Sequence, residues 1–366
     1  MINSIKKKLL NILKNIGYSL WSMVHGRING VINPSKENFI EVIQSTFKEN
    51  YTYKIFKIKN SRIYTDTITD TAFIVDNKIV EGPSFQHRNP KNAKITENIV
   101  FQKGTPKIKK NLGGTVFSLL TGGAGNANYW HWLFDVLPRI ELYKQTFRVE
   151  DLDYLLVPSY SESFQKETLD LLNFEKEKIL SSLNYRHILP TELYVTQHPY
   201  RIKDFDKDEL NIPIWIIKWL RLKFLEHSKI SKINLPKKIY IDRGDSRYKT
   251  RKIINDSEVK KFLEKKGFAI LRLADYSFID QIKLFSSAKY VVGLHGGGFA
   301  NIIFCNQGTN LLELRTKKTG KIIQNLAIKN NLNFNTIELD PQNIGAKDQQ
   351  GHVNVDLKEL EKKLIN

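Results

Sequence analysis

The stretch VVGLHGGGFANIIF, residues 291–304, places a histidine and three consecutive glycines between two apolar patterns. Residues 289–292 (KYVV) predict a short buried strand, and residues 299–304 predict the start of an apolar helix. The glycines therefore lie where a strand passes into a helix. Glycine there lets a ligand approach the backbone N–H groups, and the start of a helix favours anions. An ordinary tight turn would use the same glycines, so the neighbouring sequence has to decide.

The sequence around this stretch alternates between strands and helices. From KIYIDRG (238–244) to NFNTIEL (333–339), five strand-like segments alternate with four helical ones. This alternation is typical of a doubly wound parallel sheet, which binds ligands at the carboxyl ends of its strands. The glycine stretch lies at such an end. It is not a P-loop, because no Lys-Ser/Thr follows the glycines, and the first strand–helix turn lacks the dinucleotide fingerprint.

The first half of the chain has a different pattern. Residues from 36 to about 110 contain short β-rich segments with period-2 alternation, and strands and helices alternate again from residue 111. A chain of 366 residues is also long for a single core. The predicted segments are an amphipathic N-terminal segment (1–35), a first α/β domain (36–232), a Rossmann-like second domain (233–345) and a C-terminal helix that returns to the first domain (346–366).

The composition limits the class of partner. Lysine and arginine number 57 against 38 acidic residues, which gives a net charge of +19. This excess predicts polyanionic partners such as phosphate-bearing substrates or an anionic membrane face. The basic residues are scattered without a nucleic-acid-binding motif, so we expect no nucleic-acid partner. The single cysteine, Cys305, excludes an internal disulfide framework, fits a reducing compartment and is predicted to be an inert core thiol.

The N-terminal 24 residues predict an amphipathic helix. Its apolar residues fall near one helical face: Ile5, Leu9, Ile12, Leu13, Ile16 and Leu20. Lys6, Lys7, Lys8 and Lys14 lie mostly off that face. Such a helix can lie in the interface of an anionic bilayer, or it can pack on its own domain. No uninterrupted run of about 18 apolar residues predicts a membrane span. We expect a cytoplasmic protein, with peripheral contact at the inner face of the membrane in the first case.

Cations are concentrated in the first turn of the second domain, YIDRGDSRYKTRKI. They are Arg243, Arg247, Lys249, Arg251 and Lys252. If the strand ends share one edge, several of these cations face His295 and the glycine amides, an arrangement that suits a diphosphate. A solvated basic loop is the alternative. Glu313 lies at the end of the strand LLEL, which follows the glycine stretch. An acidic residue there often accepts ribose hydroxyls, and Arg315 balances its charge. Together these features predict a nucleotide-linked substrate.

In the first domain, the stretch GNANYWHWLFDVLPRIE contains a candidate acid–base pair. His131 and Asp135 are four residues apart, so a helix places them on one face among aromatic residues. A paired imidazole and carboxylate can remove a proton from a hydroxyl, and either group can take it. A structural His–Asp contact is the alternative. No third ligand with suitable spacing accompanies them, so we expect no metal site.

Four stretches together resemble glycosyltransferase family 61, which includes capsular-polysaccharide enzymes of bacteria and enzymes that add sugars to proteins and plant xylan. They are NYWHWLFDVLPRI, YIDRGDSRYKTRKIINDSEV, FIDQIKLFSSAKYVVGLHGGGFANIIF and LLEL, in the family's order across roughly residues 112–315. Two departures are mild. The family often has an alanine among the glycines after its histidine, and a glutamate where this chain has Asp256.

The resemblance implies a GT-B fold with an N-terminal acceptor domain, a C-terminal donor domain and inverting transfer without a metal or other cofactor. The donor expected is a nucleotide sugar, UDP-linked, and the acceptor a hydroxyl of a lipid-linked or surface (capsular) glycan. Expected donor-binding residues are Arg243, Arg247, Arg251, Lys252, His295, Gly296, Gly297, Gly298, Asn301 and Glu313. We favour His131 as the base, oriented by Asp135, with Asp135 itself as the alternative. A catalytically silent carbohydrate- or nucleotide-binding protein on the same fold is the competing interpretation.

Overall fold

The computed structural model describes residues 2–47, 51–67, 69–84, 94–120, 127–201, 210–244, 250–342 and 350–365. The chain divides into two compact units, Met1–Asp206 and Lys207–Asn366. Each unit contains a sheet with parallel strands, so the chain has the mixed α/β architecture that the alternating pattern predicts.

Unit 1 is built on a mixed sheet. Its strands are β1 (Gly30–Ile32), β2 (Ile40–Phe47), β3 (Tyr51–Lys59), β4 (Arg62–Thr65), β5 (Thr71–Val75), β6 (Lys78–Val80), β7 (Lys110–Ser118), β8 (Tyr154–Val157), β9 (Ile179–Ser181) and β10 (His187–Thr196). The order is β1-β6-β5-β4-β10-β7-β8-β9, with β3 also on β10 and β2 on β3. Strands β10, β7, β8 and β9 are parallel, whereas β2–β3 and β4–β5 are antiparallel hairpins. The β-rich segment before residue 110 therefore supplies most of the antiparallel part.

The helices of unit 1 include one at its N-terminus and an interrupted one that carries the acid–base pair. Their bounds are α1 (Ile2–His25), α2 (Val100–Lys103), α3 (Tyr129–His131), α4 (Pro138–Lys144) and α5 (Ser163–Leu171). A π-helical turn, Trp132–Val136, connects α3 to α4. A proline inside a helical pattern usually ends the helix, but Pro138 begins α4, where a helix needs no N–H from that residue. No helix among the described residues combines the length and hydropathy needed to cross a membrane.

Unit 2 is a doubly wound domain. Its strands are β11 (Lys238–Asp242), β12 (Ala269–Arg272), β13 (Tyr290–Leu294), β14 (Asn310–Thr316) and β15 (Asn333–Leu339). They are parallel in the order β12-β11-β13-β14-β15. Along the chain, β12 is added on one side of β11, and β13, β14 and β15 are then added on the other side. The gap between the ends of β11 and β13 is the topological switch point, where such sheets bind ligands.

Helices cover both faces of this sheet. They are α6 (Ile214–Phe224), α7 (Asp256–Lys265), α8 (Phe278–Ser287), α9 (Ile322–Lys329) and α10 (Leu357–Ile365), with a 3-10 helix at Gly297–Phe304. Val259 of α7 and Leu360 of α10 belong to one buried cluster with Val292 of β13. The ring of Phe278 lies against those of Phe224 and Phe304. The helix predicted from residue 299 therefore starts earlier, at Gly297, and is of the tighter 3-10 type.

Two expectations about the ends of unit 2 need correction. Helix α6 was expected in the first domain, but Arg221 on it donates hydrogen bonds to the carbonyl oxygens of Ile303 and Cys305, and the helix belongs to unit 2. The C-terminal helix was expected to return to the first domain, but Leu360 is fully buried in the core of unit 2. Cys305 is buried, which confirms its predicted place in the core, and burial raises the pKa of its thiol to about 12.

Candidate functional site

The switch point of unit 2 brings together an arginine and a histidine from two strand ends. Strand β11 ends at Asp242 and β13 at Leu294, so Arg243 and His295 are the residues that follow them. The Arg243 guanidinium donates from Nη1 to the carbonyl oxygen of His295 at 2.9 Å. The sheet topology and this bond together fix a positive group beside the glycine stretch.

Gly296 leaves the space that this guanidinium occupies. A Cβ atom on Gly296 would lie 1.5 Å from Nη1 of Arg243, which no pair of atoms tolerates. Gly298 allows a different close approach, since its Cβ would lie 2.9 Å from a methyl group of Leu273 and 3.1 Å from one of Ile241. These two glycines therefore bring the start of the 3-10 helix against Arg243 and against the sheet. Gly297 lies between them as the first residue of that helix.

His295 is held from behind by a buried carboxylate. Its Nδ1 donates to Oε1 of Glu313 at 2.5 Å, and the Glu313 side chain has 0% exposed surface. The other oxygen of Glu313 lies 3.4 Å from Arg315, which also bonds to Glu338 at 2.8 Å. A carboxylate with no exposed surface cannot accept ribose hydroxyls in this arrangement. Glu313 instead orients the His295 ring, and Arg315 balances its charge as expected.

Asn301 also lies behind the site rather than in it. Its side chain is completely buried, and its Nδ2 donates to Oε1 of Gln281 at 2.9 Å. Gln281 in turn donates to the carbonyl oxygens of Leu273 and Tyr276. Asn301 therefore ties the 3-10 helix to α8 and to the end of β12. The sequence predicts a substrate contact for Asn301, whereas the structure places its side chain in this internal contact.

Of the other predicted donor-site cations, Arg251 is partly buried and Lys252 is exposed. Burial together with the nearby charge of Arg243 lowers the pKa of Arg251 to about 10, while Glu313 opposes the shift. Arg251 therefore lies within electrostatic reach of both Arg243 and Glu313. The carbonyl oxygen of Lys252 accepts the N–H of Val353. Arg247 and Lys249 lie outside the described residues.

A half-buried lysine supports the turn that carries Arg243. Oδ1 of Asp242 accepts the N–H of Gly244 at 2.9 Å and the ammonium of Lys260 at 3.0 Å. Lys260 also binds Asp256 at 2.6 Å. Burial works against its charge, but the two carboxylates outweigh that effect and raise the pKa of Lys260. The four-residue spacing of Asp256 and Lys260 was visible in the sequence, whereas their link to the strand end was not.

In unit 1 the structure brings His131 and Asp135 into direct contact. Nδ1 of His131 donates to Oδ2 of Asp135 at 2.7 Å. The side chain of Asp135 is 1% exposed and that of His131 is 15% exposed. Both residues lie where α3 widens into the π-helical turn, and such turns are frequent at functional sites. The contact orients the imidazole, the more accessible group of the pair.

Two further side chains from the end of β10 reach the same carboxylate. The hydroxyl of Tyr200 donates to Oδ1 of Asp135 at 2.6 Å, and Nε2 of His198 lies 3.7 Å from Oδ2. Sequence reasoning missed both residues, which are more than 60 positions from Asp135. The only local signal was the polar run QHPY after the extended segment that ends at Thr196.

The buried surroundings decide the protonation of these groups. The backbone N–H groups of Tyr200 and Arg201 donate to Nδ1 of His198, which places the ring proton on Nε2, facing Asp135. Burial lowers the pKa of His198 to about 3, so the ring is neutral at pH 7. Burial alone would raise the pKa of Asp135, but the charge and hydrogen bond of His131, with smaller contributions from His198, hold it well below its ordinary value. Asp135 is therefore a carboxylate.

Arg139 fixes the backbone of the π-helical turn. Its Nε donates to the carbonyl oxygen of Asp135 at 3.0 Å, and its Nη1 donates to that of Thr196 at 2.9 Å. Burial lowers the pKa of Arg139 to about 10, partly offset by the charge of Asp135. One buried guanidinium thus joins the turn to the end of β10, from which His198 and Tyr200 follow.

The aromatic residues around His131 divide into core and surface. Trp132 and Phe134 are fully buried, and Trp130 is nearly so. Tyr129 is half-buried and packs edge-on against Phe164. The accessible aromatic surface beside His131 is therefore mainly that of Tyr129. Within the described part of the chain, His, Cys, Asp and Glu side chains form no group of three or more suited to a metal ion.

The chain was compared with models of protein families. The model described as Glycosyltransferase 61 matches residues 129–312, half of the chain. The matched range begins two residues before His131 and includes the turn of Arg243 and the glycine stretch. No curated protein matches the chain.

Proposed function

Because the chain belongs to glycosyltransferase family 61, we propose that it transfers a sugar from a nucleotide-sugar donor to a hydroxyl group of a glycan, with inversion at the anomeric carbon. In this proposal the enzyme is of the GT-B type, unit 2 supplies the donor site and unit 1 supplies the catalytic base. The observation that carries it is the bond between Arg243 and the His295 carbonyl at the switch point of the parallel sheet.

The donor site would recognise the diphosphate of the nucleotide sugar. A guanidinium has five N–H donors in a planar fork that matches phosphate oxygens. That of Arg243 is placed at the switch point by its bond to the His295 carbonyl. Arg251 adds a second positive charge within electrostatic reach. Negative charge develops on the leaving nucleoside diphosphate as the sugar departs, and fixed cations stabilise that charge. We therefore propose transfer that needs no metal ion, with uridine diphosphate as the leaving group.

His131 is the better candidate for the base. Both oxygens of Asp135 already accept hydrogen bonds and its side chain is 1% exposed, so an acceptor hydroxyl cannot reach it easily. A neutral His131 that donates from Nδ1 carries its lone pair on Nε2. Nε2 would take the proton of the acceptor hydroxyl as its oxygen bonds to the anomeric carbon and the bond from that carbon to the diphosphate breaks. The Asp135 carboxylate would then stabilise the resulting imidazolium.

The acceptor is proposed to be a glycan, lipid-linked or part of a surface polysaccharide. The half-buried ring of Tyr129, two residues from His131, offers an aromatic face for a sugar ring. The resemblance to the family implies an acceptor side in the first domain and a donor side in the second, and the proposal adopts that assignment for units 1 and 2.

The proposal is tested with a panel of sugar nucleotides and nucleoside diphosphates. We expect a uridine diphosphate sugar to raise the melting temperature of the wild-type protein, and Arg243→Ala to abolish that shift. With a matching acceptor, proton NMR of the product should show inversion of the anomeric configuration. Binding without any transfer would instead favour a silent nucleotide-binding protein. A retained configuration would remove the role given to His131.

A further inference from the structure

Helix α1 has an exposed apolar stripe. The residues of this stripe are Leu9, Ile12, Leu13, Ile16, Leu20, Met23 and Val24, with exposed fractions between 52% and 81%. At 3.6 residues per turn they cover roughly a third of the helix circumference. Apolar side chains scattered singly over a surface are normal, but a contiguous stripe over four turns marks a site of interaction.

The opposite face of α1 attaches the helix to unit 1. The ammonium of Lys103 lies over the ring of Tyr18, 5.9 Å from its centroid, and Nε2 of His25 donates to the carbonyl oxygen of Lys107 at 3.0 Å. Ser22, on the same face, lies so close to Gly104 that a Cβ there would meet its Oγ at 2.9 Å. The helix is therefore held by its polar and aromatic face, and the apolar stripe is directed away. The alternative in which the stripe packs on its own domain does not hold.

The charge on α1 identifies the kind of partner. Its sequence contains four lysines and no acidic residue. The side chains of Lys6 and Lys14 are exposed, and so is that of Arg27 just beyond the helix. An anionic bilayer surface fits both the apolar stripe and the positive charge of α1. The acyl boundary accepts the leucines and isoleucines, and the headgroups bind the cations. A second copy of this chain would instead bring the same positive charges together.

We propose that α1 lies in the plane of an anionic lipid bilayer, with its apolar stripe inserted below the headgroups. This docking is separate from the proposed reaction, because no residue of the stripe belongs to the switch point or to the His131–Asp135 pair. It would keep the enzyme at a membrane surface, where a lipid-linked acceptor is concentrated.

The first test is co-sedimentation of the full-length protein with vesicles. The vesicles contain phosphatidylcholine with about one third phosphatidylglycerol, or phosphatidylcholine alone. The variant carries Leu9→Gln, Leu13→Gln, Ile16→Gln and Leu20→Gln, since glutamine keeps the helix propensity. We expect it to lose vesicle affinity by about a hundredfold or more, because four apolar side chains that would insert into the bilayer are replaced by polar ones. A control, Leu222→Gln with Ile230→Gln, replaces apolar residues of unit 2 that are 75% and 71% exposed, and it should bind like the wild type.

The lysines are tested separately. Lys6→Gln with Lys14→Gln should weaken binding to the anionic vesicles by about fivefold for each lysine and leave binding to the neutral vesicles unchanged. Added salt should likewise weaken binding of the wild type to the anionic vesicles and leave its binding to the neutral vesicles unchanged. Wild-type protein that stays in the supernatant with anionic vesicles at low salt would overturn the proposal. A dimer in solution that the four-glutamine variant dissociates, without vesicle binding, would also overturn it.

A fluorescent probe tests the orientation of the helix. Cys305 is buried and its thiol pKa is raised to about 12, so an introduced surface cysteine can be labelled selectively at neutral pH. A polarity-sensitive dye on Ile16→Cys should shift to the blue and become protected from an aqueous quencher when anionic vesicles are added. The same dye on the adjacent Asn15→Cys, off the stripe, should change little. Equal responses at both positions would contradict the proposed orientation.

Discussion

Replacing Gly296 by alanine should weaken nucleoside-diphosphate binding through its effect on Arg243. The new Cβ would lie 1.5 Å from Nη1 of Arg243, so the guanidinium must leave its position and give up its bond to the His295 carbonyl. The backbone itself tolerates the change, because Gly296 has an extended conformation with φ of 164° and ψ of −179°. The variant should therefore fold and lose only the placement of the cation.

The size of the effect follows from the bond that is lost. A hydrogen bond to a charged group contributes about 1.5–3 kcal/mol, which corresponds to about a 10- to 150-fold weaker affinity. Isothermal titration with uridine diphosphate measures it directly. Gly244→Ala is the matched control, since a Cβ there meets Asp242 at 3.4 Å and Arg272 at 3.7 Å, which are ordinary contacts. We expect this control to bind as the wild type does.

A double-mutant cycle shows whether Arg243 carries the effect. Once Arg243 is replaced by alanine, the Cβ added at position 296 has room, so the double variant should bind no more weakly than Arg243→Ala alone. Losses that simply add would show that Gly296 acts through another contact. An unchanged affinity in Gly296→Ala would refute the reasoning altogether.

Three further predictions concern unit 1. His131→Ala and Asp135→Asn should each lower turnover by about 10²–10⁴ with donor affinity nearly unchanged, measured by steady-state rates beside titration; full activity in His131→Ala would exclude this base. Tyr200→Phe removes a donor to a buried carboxylate, so it should raise the pKa of Asp135 and lower the free energy of unfolding by about 1–3 kcal/mol in urea, and an unchanged midpoint would contradict this. Burial lowers the pKa of His187 to about 4 and that of His198 to about 3, so only the unfolded chain takes up their protons as the pH falls below about 6.5. Stability should be highest above that pH and fall towards pH 4 by up to about 1.4 kcal/mol per pH unit for each histidine, and His187→Gln should flatten this slope in urea titrations.

The sequence was sufficient for the architecture of unit 2. Apolar strands that alternate with amphipathic helices predict a parallel sheet. Two neighbouring parallel strands need a crossover connection between them, and that connection is usually a helix. The order of the strands is not encoded in any local pattern, so the switch point between Arg243 and His295 emerged only from the pairing of β11 with both β12 and β13. The placement of both residues at strand ends was nevertheless enough to select them.

The roles of individual side chains were harder to predict. Glu313 was expected at the end of its strand, but it lies in the middle of β14, where its side chain is fully buried against His295. Nearly every residue of β14 is buried, so the sequence pattern alone does not show which side chains are accessible. Tyr200 and His198 contact Asp135 from a distant strand end, which no local spacing reveals. The π-helical turn was missed because a proline usually ends a helical pattern, whereas here Pro138 begins the next helix.

The direct test of the donor site is a crystal structure of the protein with uridine diphosphate. We predict the diphosphate at the switch point of unit 2, with its oxygens within hydrogen-bonding distance of the Arg243 guanidinium and of backbone N–H groups that follow His295. A diphosphate bound away from the ends of β11 and β13, with Arg243 still engaged only within the protein, would contradict the account.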